Sequence, residues 1–357
     1  MAGFQLCPAA PLEAFSCRVF EALGAPRDIA GEVAGHLVRA NLSGHDSHGV
    51  QRVVWYVDQA DRDQLVPEAR PRVVRDHGTT ALMDAQHGFG HYSTAVALAW
   101  AIDRAREQGL AAAAVRNSTH IGRLGEYTER AAGQGLIAIV TVGGTTPGAG
   151  LVVPHGGQER LLGTNPWSFG VPATGHDPFI FDAATSMIAE GKVRFALSKG
   201  VELPKGCIVD KEGRASTNPA DLYAGGALLP LGGPVAGHKG YSLALASALL
   251  GGLSMSDDLA DGAEPTGRLG GVFLVVIDPA WFGDGEGYRA QVGAALAAAE
   301  RTAPAAGVPE VLAPGIPEAR SREARGREGI AVPEATWQDL ARVGERFSVP
   351  LPDHREV

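Results

Sequence analysis

The segment Gly44-His45-Asp46-Ser47-His48-Gly49-Val50-Gln51-Arg52 follows a long helical run near the start of the chain. It places two imidazoles, a carboxylate, a hydroxyl and a guanidinium within nine residues, and glycines bracket the cluster at positions 44 and 49. Histidine titrates near neutral pH and arginine offers a planar set of donors, so this cluster can move a proton and hold a carboxylate at once. The same residues can also form a polar junction between helices, in which the histidines only satisfy backbone groups. This segment alone leaves both interpretations open.

Amphipathic helices are predicted on both sides of this segment. Residues 10–24 and 27–43 precede it, and their apolar side chains recur at helical spacing. A third helix follows it, with valines on one side at Val50, Val53, Val54 and Val57. The N-terminal region is therefore expected to be a small all-helical unit, to which a last helix over 334–346 returns.

From Arg72 onward the pattern changes to strands alternating with helices, which predicts an α/β region. Short apolar runs predict strands over 72–74, 80–84, 110–115, 136–142, 167–171, 179–181 and 271–277. Longer amphipathic or apolar runs predict helices over 92–108, 125–133, 241–253 and 288–300. Residues 313–328 are charged, and we expect them to be irregular.

The composition limits the classes of function. A net charge of -9 argues against a nucleic-acid partner, because phosphate binding needs clustered Lys and Arg. The apolar runs are too short to span a membrane, and the first residues lack the features of a secretory signal. Cys7, Cys17 and Cys207 are odd in number and far apart, so neither a disulfide framework nor a zinc pattern is expected. We expect a cytoplasmic protein with no nucleic-acid partner and no membrane partner.

A glycine-rich run follows the strand predicted to end near Val142. It reads Gly143-Gly144-Thr145-Thr146-Pro147-Gly148-Ala149-Gly150 and invites comparison with the fingerprint of a Rossmann dinucleotide-binding fold. That fingerprint needs a helix directly after the glycines and an acidic residue about 20 positions further on. The sequence predicts neither feature, so a Rossmann fold is not expected.

A metal site is one alternative for the histidines. His45 and His48 can point at one ion, with Asp46 or His120 as a further ligand, which would suit a metal-dependent hydrolase or lyase. The sequence has no HExxH pair or similar arrangement. We therefore expect no metal, and the hydrolase or lyase class remains an alternative.

Three further polar segments lie where ligands often bind. His120 stands between a predicted strand and a predicted helix, where open α/β folds place ligands, although a solvated loop explains it as well. Gly163-Thr164-Asn165-Pro166 is either a turn or part of a site. Lys239 opens a helix between glycines, where it either meets a phosphate or carboxylate or is a surface charge.

Taken in order, these segments resemble those of the malate/L-lactate dehydrogenase family, whose nicotinamide-binding domain has no Rossmann fold. The matching segments are residues 41–49, 117–123, 163–166, 182–186, 204–207, 217–220 and 238–241. Within the family, the likeness is strongest to the hydroxycarboxylate dehydrogenases. The resemblance implies the interconversion of a small 2-hydroxy acid and its 2-oxo acid.

The resemblance also implies how the subunit is built. A helical domain is expected from residues 1–75 joined by 318–357, and a central mixed α/β nicotinamide-binding domain with non-Rossmann topology is expected over 76–317. NAD or NADP is the expected cofactor. A homodimer is expected, with the active site between the domains and near the partner subunit, and with a small-molecule carboxylate as substrate.

Roles at matching positions follow from the same resemblance. His48 is expected to donate and accept the proton, with Ser47 beside it and Asp182 as a further catalytic residue. Reduction of a 2-oxo acid needs a hydride on the carbonyl carbon and a proton on its oxygen, and an imidazolium can supply that proton.

The remaining expected contacts belong to substrate and cofactor. Arg52 is expected to hold the substrate carboxylate, Arg123 is the second candidate, and Thr164 is a further substrate contact. The expected cofactor contacts are His120, Ile121, Gly122, Pro178, Phe179, Ile180, Phe181, Asp182, His238, Lys239, Pro314, Gly315 and Ile316. Two other functions fit the same residues: an imine reductase acting on a cyclic imino acid, and a small-acid binding protein without turnover.

Overall fold

In the computed structural model, which describes residues 3–256 and 266–356, helices dominate both ends and a sheet lies in the middle. The helices are α1 (Ala9–Ala22), α2 (Arg27–Leu42), α3 (Arg52–Asp61), α4 (Gly90–Gln108), α5 (Gly125–Ala132), α6 (Glu190–Lys199), α7 (Ala220–Tyr223), α8 (Gly233–Gly251), α9 (Gly285–Glu300), α10 (Ile316–Glu328) and α11 (Glu334–Phe347). The strands are β1 (Phe4–Cys7), β2 (Arg72–Asp76), β3 (Thr80–Asp84), β4 (Leu110–Arg116), β5 (Ile137–Thr145), β6 (Trp167–Val171), β7 (Phe179–Ala183), β8 (Ile208–Val209), β9 (Ala215–Ser216), β10 (Ala227–Leu228), β11 (Leu269–Ile277), β12 (Ile330–Pro333) and β13 (Arg355–Glu356).

A seven-stranded mixed sheet forms the centre, in the order β2-β3-β4-β11-β5-β6-β7. β3 and β4 pair in parallel, and the helix α4 makes the crossover that a parallel pair needs. The other neighbouring pairs that the structure describes in this sheet are antiparallel. This arrangement confirms the predicted mixed α/β class without a Rossmann topology.

The glycine-rich run that begins at the end of β5 packs against a helix. Gly143 and Gly144 continue β5 and pair with β11, and the chain then enters a loop, as predicted. A Cβ added to Gly143 would lie 2.2 Å from Oγ of Ser247 in α8. The missing side chain therefore lets α8 lie directly on the sheet.

The helical unit has its own apolar core, to which both ends of the chain contribute. Phe15 of α1, Tyr56 of α3 and Trp337 of α11 belong to one buried cluster. A small sheet joins the ends as well, because β1 lies between β12 and β13. The expected division into residues 1–75 with 318–357 and residues 76–317 remains a prediction.

One expectation from the sequence is wrong. Residues 313–328, expected to be irregular, contain the helix α10 from Ile316 to Glu328. Most of its side chains are charged or small and none is buried, so the sequence lacks the apolar periodicity by which helices are recognised. Hydrogen bonds to the end of α2 and ion pairs to the segment that follows it hold α10 in place instead, including the 2.7 Å pair of Arg325 with Asp46.

The apolar helix α8 begins earlier than expected. It starts at Gly233, with Pro234 in its first turn, whereas the sequence predicted a start at Tyr241. The backbone angles of Ala236 are not helical, so α8 consists of two helical parts that meet at a kink at this residue. Among the described helices, α8 included, none combines the length and the apolar character that crossing a membrane requires.

Candidate active site

The motif at residues 46–48 is a single 3₁₀ turn between α2 and α3. Asn41, at the end of α2, holds both sides of this turn. Its amide nitrogen donates to Asp46 at 2.6 Å, and its amide oxygen accepts the backbone N–H of Val50 at 2.8 Å. Arg325 of α10 also donates to Asp46 and to the carbonyl of Asn41. The backbone of the motif is therefore fixed from two helices.

His48 is half-buried and uncharged at neutral pH. Burial, followed by the charges of Arg52 and His45, lowers the pKa of His48 to about 4. Its Nδ1 lies 3.0 Å from the Ser47 hydroxyl, and that hydroxyl can donate or accept. The Nε of Arg52 donates to the Ser47 carbonyl at 2.8 Å, so the three residues form one connected group.

His120 stacks on His48, with ring centroids 5.6 Å apart and planes 18° from parallel. The backbone N–H of Gly122 donates to Nδ1 of His120 at 3.3 Å, which marks Nδ1 as the unprotonated nitrogen. The hydroxyl of Tyr56 lies 2.8 Å from the same nitrogen and donates to it. Nε2 of His120 therefore carries the proton, because burial lowers the pKa of His120 far below its ordinary value and keeps the ring neutral.

Two more imidazoles lie behind this pair. His91 approaches the Tyr56 hydroxyl through Nε2 at 3.2 Å, and His36 meets His91 edge to face. Burial lowers the pKa of His91 to about 3 and that of His36 well below its ordinary value. Their Nδ1 atoms have no hydrogen-bond partner in the described chain.

Gly122 is a position that only glycine can occupy. Its φ is +74°, and an added Cβ would lie 2.3 Å from Nε2 of His36. The next residue, Arg123, donates its backbone N–H to that nitrogen at 3.0 Å. The loop after β4 is thereby held against α2 and α4, which keeps His120 in place.

A cavity of about 650 Å³ opens in front of His48. The residues that line it are Ser47, His48, Arg52, His120, Leu151, Arg160, Thr164, Ala189, Glu190, Gly191, Arg194, Leu222, Tyr223 and Gly225. Five side chains that the sequence singled out thus come together, namely Ser47, His48, Arg52, His120 and Thr164. Three arginines and one glutamate line the cavity, so its ionised side chains carry a net charge of +2 when the histidines are neutral.

Arg123 is not among the residues that line this cavity. Its side chain is 2% exposed, and its two terminal nitrogens donate to Glu129 at 3.2 and 2.8 Å. Burial alone would lower the pKa of Arg123, but Glu129 and Asp182 reverse the effect and raise it. The guanidinium therefore has its counter-charges within the fold.

Asp182 also lies outside the cavity lining. Its carboxylate accepts the backbone N–H of Gly125 at 2.7 Å and lies 3.8 Å from Nε of Arg123. Burial raises its pKa, while Arg123 and the Gly125 N–H oppose the rise. The structure thus places this expected catalytic carboxylate at the start of α5.

The expected cofactor residues fall into three places. His120 lines the cavity, and Ile121 beside it is buried and offers its carbonyl to the Tyr127 hydroxyl. The segments 178–182 and 314–316 lie together, since Ile180 donates its N–H to the Pro314 carbonyl at 3.1 Å. His238 and Lys239 are exposed on α8.

The cavity suits a nicotinamide ring next to a small acid. Its volume lies within the roughly 300–1,000 Å³ typical of small-molecule sites. The hydroxyls of Ser47 and Thr164 and the Nε2–H of His120 are hydrogen-bonding groups of the kind that a carboxamide or carbonyl uses. The chemistry of these donors therefore agrees with the expected cofactor class.

The geometry offers little to a metal ion. His45 is engaged with Glu318 of α10 through Nε2 at 3.2 Å. Over residues 3–256 and 266–356, no three His, Cys, Asp or Glu side chains are grouped so that they could hold a metal.

Several residues of the site were missed by the sequence analysis. Arg160, Glu190, Arg194 and Tyr223 all line the cavity. Arg160 precedes the Gly163–Pro166 segment by only a few positions, but a charged loop residue gives no sequence signal of its own. The others belong to α6 and α7, which the sequence did not predict as helices. Tyr56 lies one helical turn after Arg52 on α3, and an aromatic residue in an apolar helix is indistinguishable from a core residue by sequence alone.

Comparison with known proteins agrees with these features. The family model described as Malate/L-lactate dehydrogenase matches residues 7–341. Hydroxycarboxylate dehydrogenase B of Escherichia coli (strain K12) is 34% identical over 346 residues, which cover 95% of this chain and 93% of that protein. Delta(1)-pyrroline-2-carboxylate/Delta(1)-piperideine-2-carboxylate reductase of Pseudomonas putida is 34% identical over 339 residues, which cover 93% of this chain and 95% of that protein. The crystal structure of malate dehydrogenase from Entamoeba histolytica superposes with a TM-score of 0.89 at 27% identity, covering 98% of this chain and 100% of that one.

Proposed function

The chain belongs to the malate/L-lactate dehydrogenase family of nicotinamide-dependent oxidoreductases, and we propose that it interconverts a small 2-hydroxy acid and its 2-oxo acid with NAD or NADP. One observation carries the proposal: Ser47, His48, Arg52 and His120 line a single cavity. A proton carrier and a cation for a carboxylate are therefore next to each other, as the oxidation of a hydroxy acid requires.

His48 is the proposed proton carrier. A bound nicotinamide accepts the hydride from the hydroxyl-bearing carbon, or returns it in the reverse direction. With its pKa lowered to about 4, the His48 imidazole is neutral at pH 7 and can take the hydroxyl proton. The Ser47 hydroxyl can accept from Nδ1 or donate to it, so it supports the ring in both protonation states.

Arg52 is the proposed carboxylate ligand, in preference to Arg123. Arg52 lines the cavity and has no carboxylate within ion-pair distance in the described part of the chain, whereas Arg123 is buried against Glu129. A fixed guanidinium beside His48 would orient the substrate so that its hydroxyl meets the imidazole. For the nicotinamide nucleotide we propose His120, the segments 178–182 and 314–316, and the exposed His238 and Lys239.

An imine reductase is the second candidate. The Pseudomonas putida relative, whose name describes reduction of cyclic imino acids, favours it. The same cavity would serve, since Arg52 would hold the carboxylate beside the C=N bond and His48 would protonate the nitrogen. The cytoplasmic location expected from the sequence remains a prediction.

A homodimer is proposed as the functional unit. α8 exposes apolar side chains that include Val235 at 92% and Leu249 at 55%, and Leu253 directly after it is 50% exposed. A second copy of the chain would remove this surface from water. Light scattering should report a dimer for the wild type and a monomer for Leu249→Glu, while Phe282→Glu, at an exposed apolar site outside α8, should leave the dimer unchanged. Light scattering that reports a monomer for the wild type would refute the proposed homodimer.

The enzyme assay follows the loss of NADH or NADPH absorbance with pyruvate, oxaloacetate, hydroxypyruvate, phenylpyruvate and one cyclic imino acid. Turnover of an oxo acid supports the dehydrogenase, and turnover of the imino acid alone supports the reductase. Tight cofactor binding without turnover would refute both substrate classes. Absence of binding and turnover would contradict the proposed function altogether.

A further inference from the structure

We propose that Arg160 binds a second acid group of the substrate, so that the enzyme prefers dianionic 2-hydroxy and 2-oxo acids over monoanionic ones. This inference rests on the proposed function and narrows its substrate class. It assigns the carboxylate next to the reacting carbon to Arg52 and the distal acid group to Arg160. Both arginines line the same cavity as His48.

The guanidinium of Arg160 is fixed before any ligand binds. Its Nε donates to the carbonyl of Gly226 at 2.7 Å, and its Nη2 donates to the carbonyls of Leu222 and Gly226. Its remaining nitrogen, Nη1, has no hydrogen-bond partner in the described chain. Because two backbone carbonyls already hold the side chain, an anion would gain a charged donor at little cost in side-chain entropy.

Arg160 also lacks a counter-charge. Backbone carbonyls are neutral acceptors, and within the residues that the structure describes no carboxylate lies at ion-pair distance from Arg160. Arg194, on the same cavity, differs because Glu190 binds it at 2.9 Å. Two arginines, Arg52 and Arg160, thus account for the net charge of +2 on the cavity wall. A monoanionic acid would neutralise one of them, whereas a dianion neutralises both.

The position of Arg160 favours the substrate over the cofactor as the source of this anion. Leu151, Leu222 and Gly225 line the cavity with it, and none of them is an expected cofactor contact. Among the expected cofactor contacts only His120 lines the cavity. The apolar side chains of Leu151 and Leu222 would accompany the carbon chain between the two acid groups. A phosphate of the cofactor is the competing occupant, and the experiment separates the two.

The experiment compares wild type, Arg160→Met and Arg194→Met with oxaloacetate and pyruvate as substrates. Arg194→Met is the matched control, because that arginine lines the cavity but already has Glu190. We expect Arg160→Met to lower kcat/KM for oxaloacetate about 10- to 100-fold, mainly through KM, and to change kcat/KM for pyruvate less than about threefold. Arg194→Met should change the ratio between the substrates little. Arg160→Lys should restore part of the preference for oxaloacetate over pyruvate, since lysine returns the positive charge but not the planar set of guanidinium donors.

Two binding measurements keep the outcomes distinct. Affinities for malate and lactate are measured by calorimetry on the cofactor-bound enzyme, and Kd for NADH and NADPH by fluorescence. Arg160→Met should weaken malate binding and leave Kd for the cofactor unchanged. An equal loss of affinity for malate and lactate in Arg160→Met would overturn the inference. A higher Kd for the cofactor would also overturn it, and would assign Arg160 to a phosphate of the cofactor. If the wild type turns over no oxo acid yet Arg160 still discriminates malate from lactate, the proposed function fails and the anion site stands.

Discussion

The Tyr56 hydroxyl lies 2.8 Å from Nδ1 of His120 and holds that ring as a single tautomer. The same hydroxyl faces Nε2 of His91 at 3.2 Å, so it accepts from His91 while it donates to His120. The proton of His120 is thereby kept on Nε2, the nitrogen left for a ligand in the cavity. Tyr56 is fully buried and does not line the cavity, which makes it a positioning residue.

Removal of the Tyr56 hydroxyl should loosen this tautomer. In Tyr56→Phe only the 3.3 Å bond from Gly122 would remain on Nδ1 of His120. We expect kcat/KM to fall about 3- to 10-fold, as the loss of one hydrogen bond predicts. Nitrogen NMR of the His120 ring should show one protonated nitrogen in the wild type and a mixture of tautomers in the variant.

Tyr127→Phe is the matched control for this effect. Tyr127 is equally buried, and its hydroxyl donates to the Ile121 carbonyl at 2.6 Å and to no imidazole. Tyr127→Phe should lower the free energy of unfolding by a similar amount and leave the nitrogen NMR spectrum of the His120 ring unchanged. Wild-type tautomer content in Tyr56→Phe would contradict the assignment of a positioning role.

His48 should carry the proton in the proposed reaction. In His48→Gln the cavity keeps a hydrogen-bonding group but loses the titrating one, so we expect kcat to fall by a factor of about 10² to 10⁴. Ser47→Ala should cost much less, since it removes only the partner of Nδ1. Steady-state rates, with circular dichroism and cofactor affinity as checks on folding, measure both.

His120→Gln separates the two stacked histidines. His120 also lines the cavity, and its proton is on Nε2 because Nδ1 accepts the Gly122 N–H. A His48→Gln enzyme that turns over normally, together with an inactive His120→Gln enzyme, would transfer the acid/base role to His120.

Arg52 should set the protonation of His48 in the free enzyme. After burial, the charge of Arg52 is the largest cause that lowers the pKa of His48. Without that positive charge the imidazolium is easier to form, so Arg52→Met should raise the pKa of His48 above its wild-type value of about 4. An NMR titration of His48 in the protein without substrate measures this directly. Arg160→Met is the control, and an unchanged His48 pKa in Arg52→Met would show that burial alone sets it.

The sequence predicted the parts of the fold that have regular apolar patterns. The helices near 10–24, 27–43 and 92–108 were found because burial of one face imposes a period on their side chains. The inner strands of the central sheet were found because they are short apolar runs. The alternation of strands and helices predicted the α/β region, and the resemblance added its mixed, non-Rossmann topology. Ser47, His48, Arg52, His120 and Thr164 were brought to one cavity as the motifs suggested.

What the sequence missed depends on contacts between distant polar groups. α10 is held by pairs such as Arg325 with Asp46 and His45 with Glu318, and such pairs leave no local pattern. Arg160 belongs to the cavity because α7 and the turn between α7 and β10 bring the Leu222 and Gly226 carbonyls to it. Tyr56 resembles a core residue in sequence, and only the position of His91 and His120 gives its hydroxyl a role.

The buried histidines should make the fold sensitive to mild acid. Burial is the largest cause of the lowered pKa of His36, His48, His91 and His120. In the unfolded chain each returns to an ordinary pKa of about 6.5. Below that pH the unfolded state binds protons that the folded state does not, so the free energy of unfolding falls as pH falls. The loss continues until the folded pKa is reached, which is about 4 for His48 and about 3 for His91.

Unfolding in urea between about pH 7 and 5 measures this loss, which should be on the order of 1 kcal/mol per pH unit for each buried histidine. His176, whose pKa is raised, contributes with the opposite sign and offsets part of it. His91→Gln should reduce the slope of the free energy of unfolding against pH by the contribution of one histidine, because glutamine does not titrate. The glutamine amide would still offer the Tyr56 hydroxyl a hydrogen-bond partner. His77→Gln, at an exposed turn, controls for the substitution itself. A free energy of unfolding that stays constant over this range, or an unchanged slope in His91→Gln, would mean that these imidazoles take up protons in the folded protein.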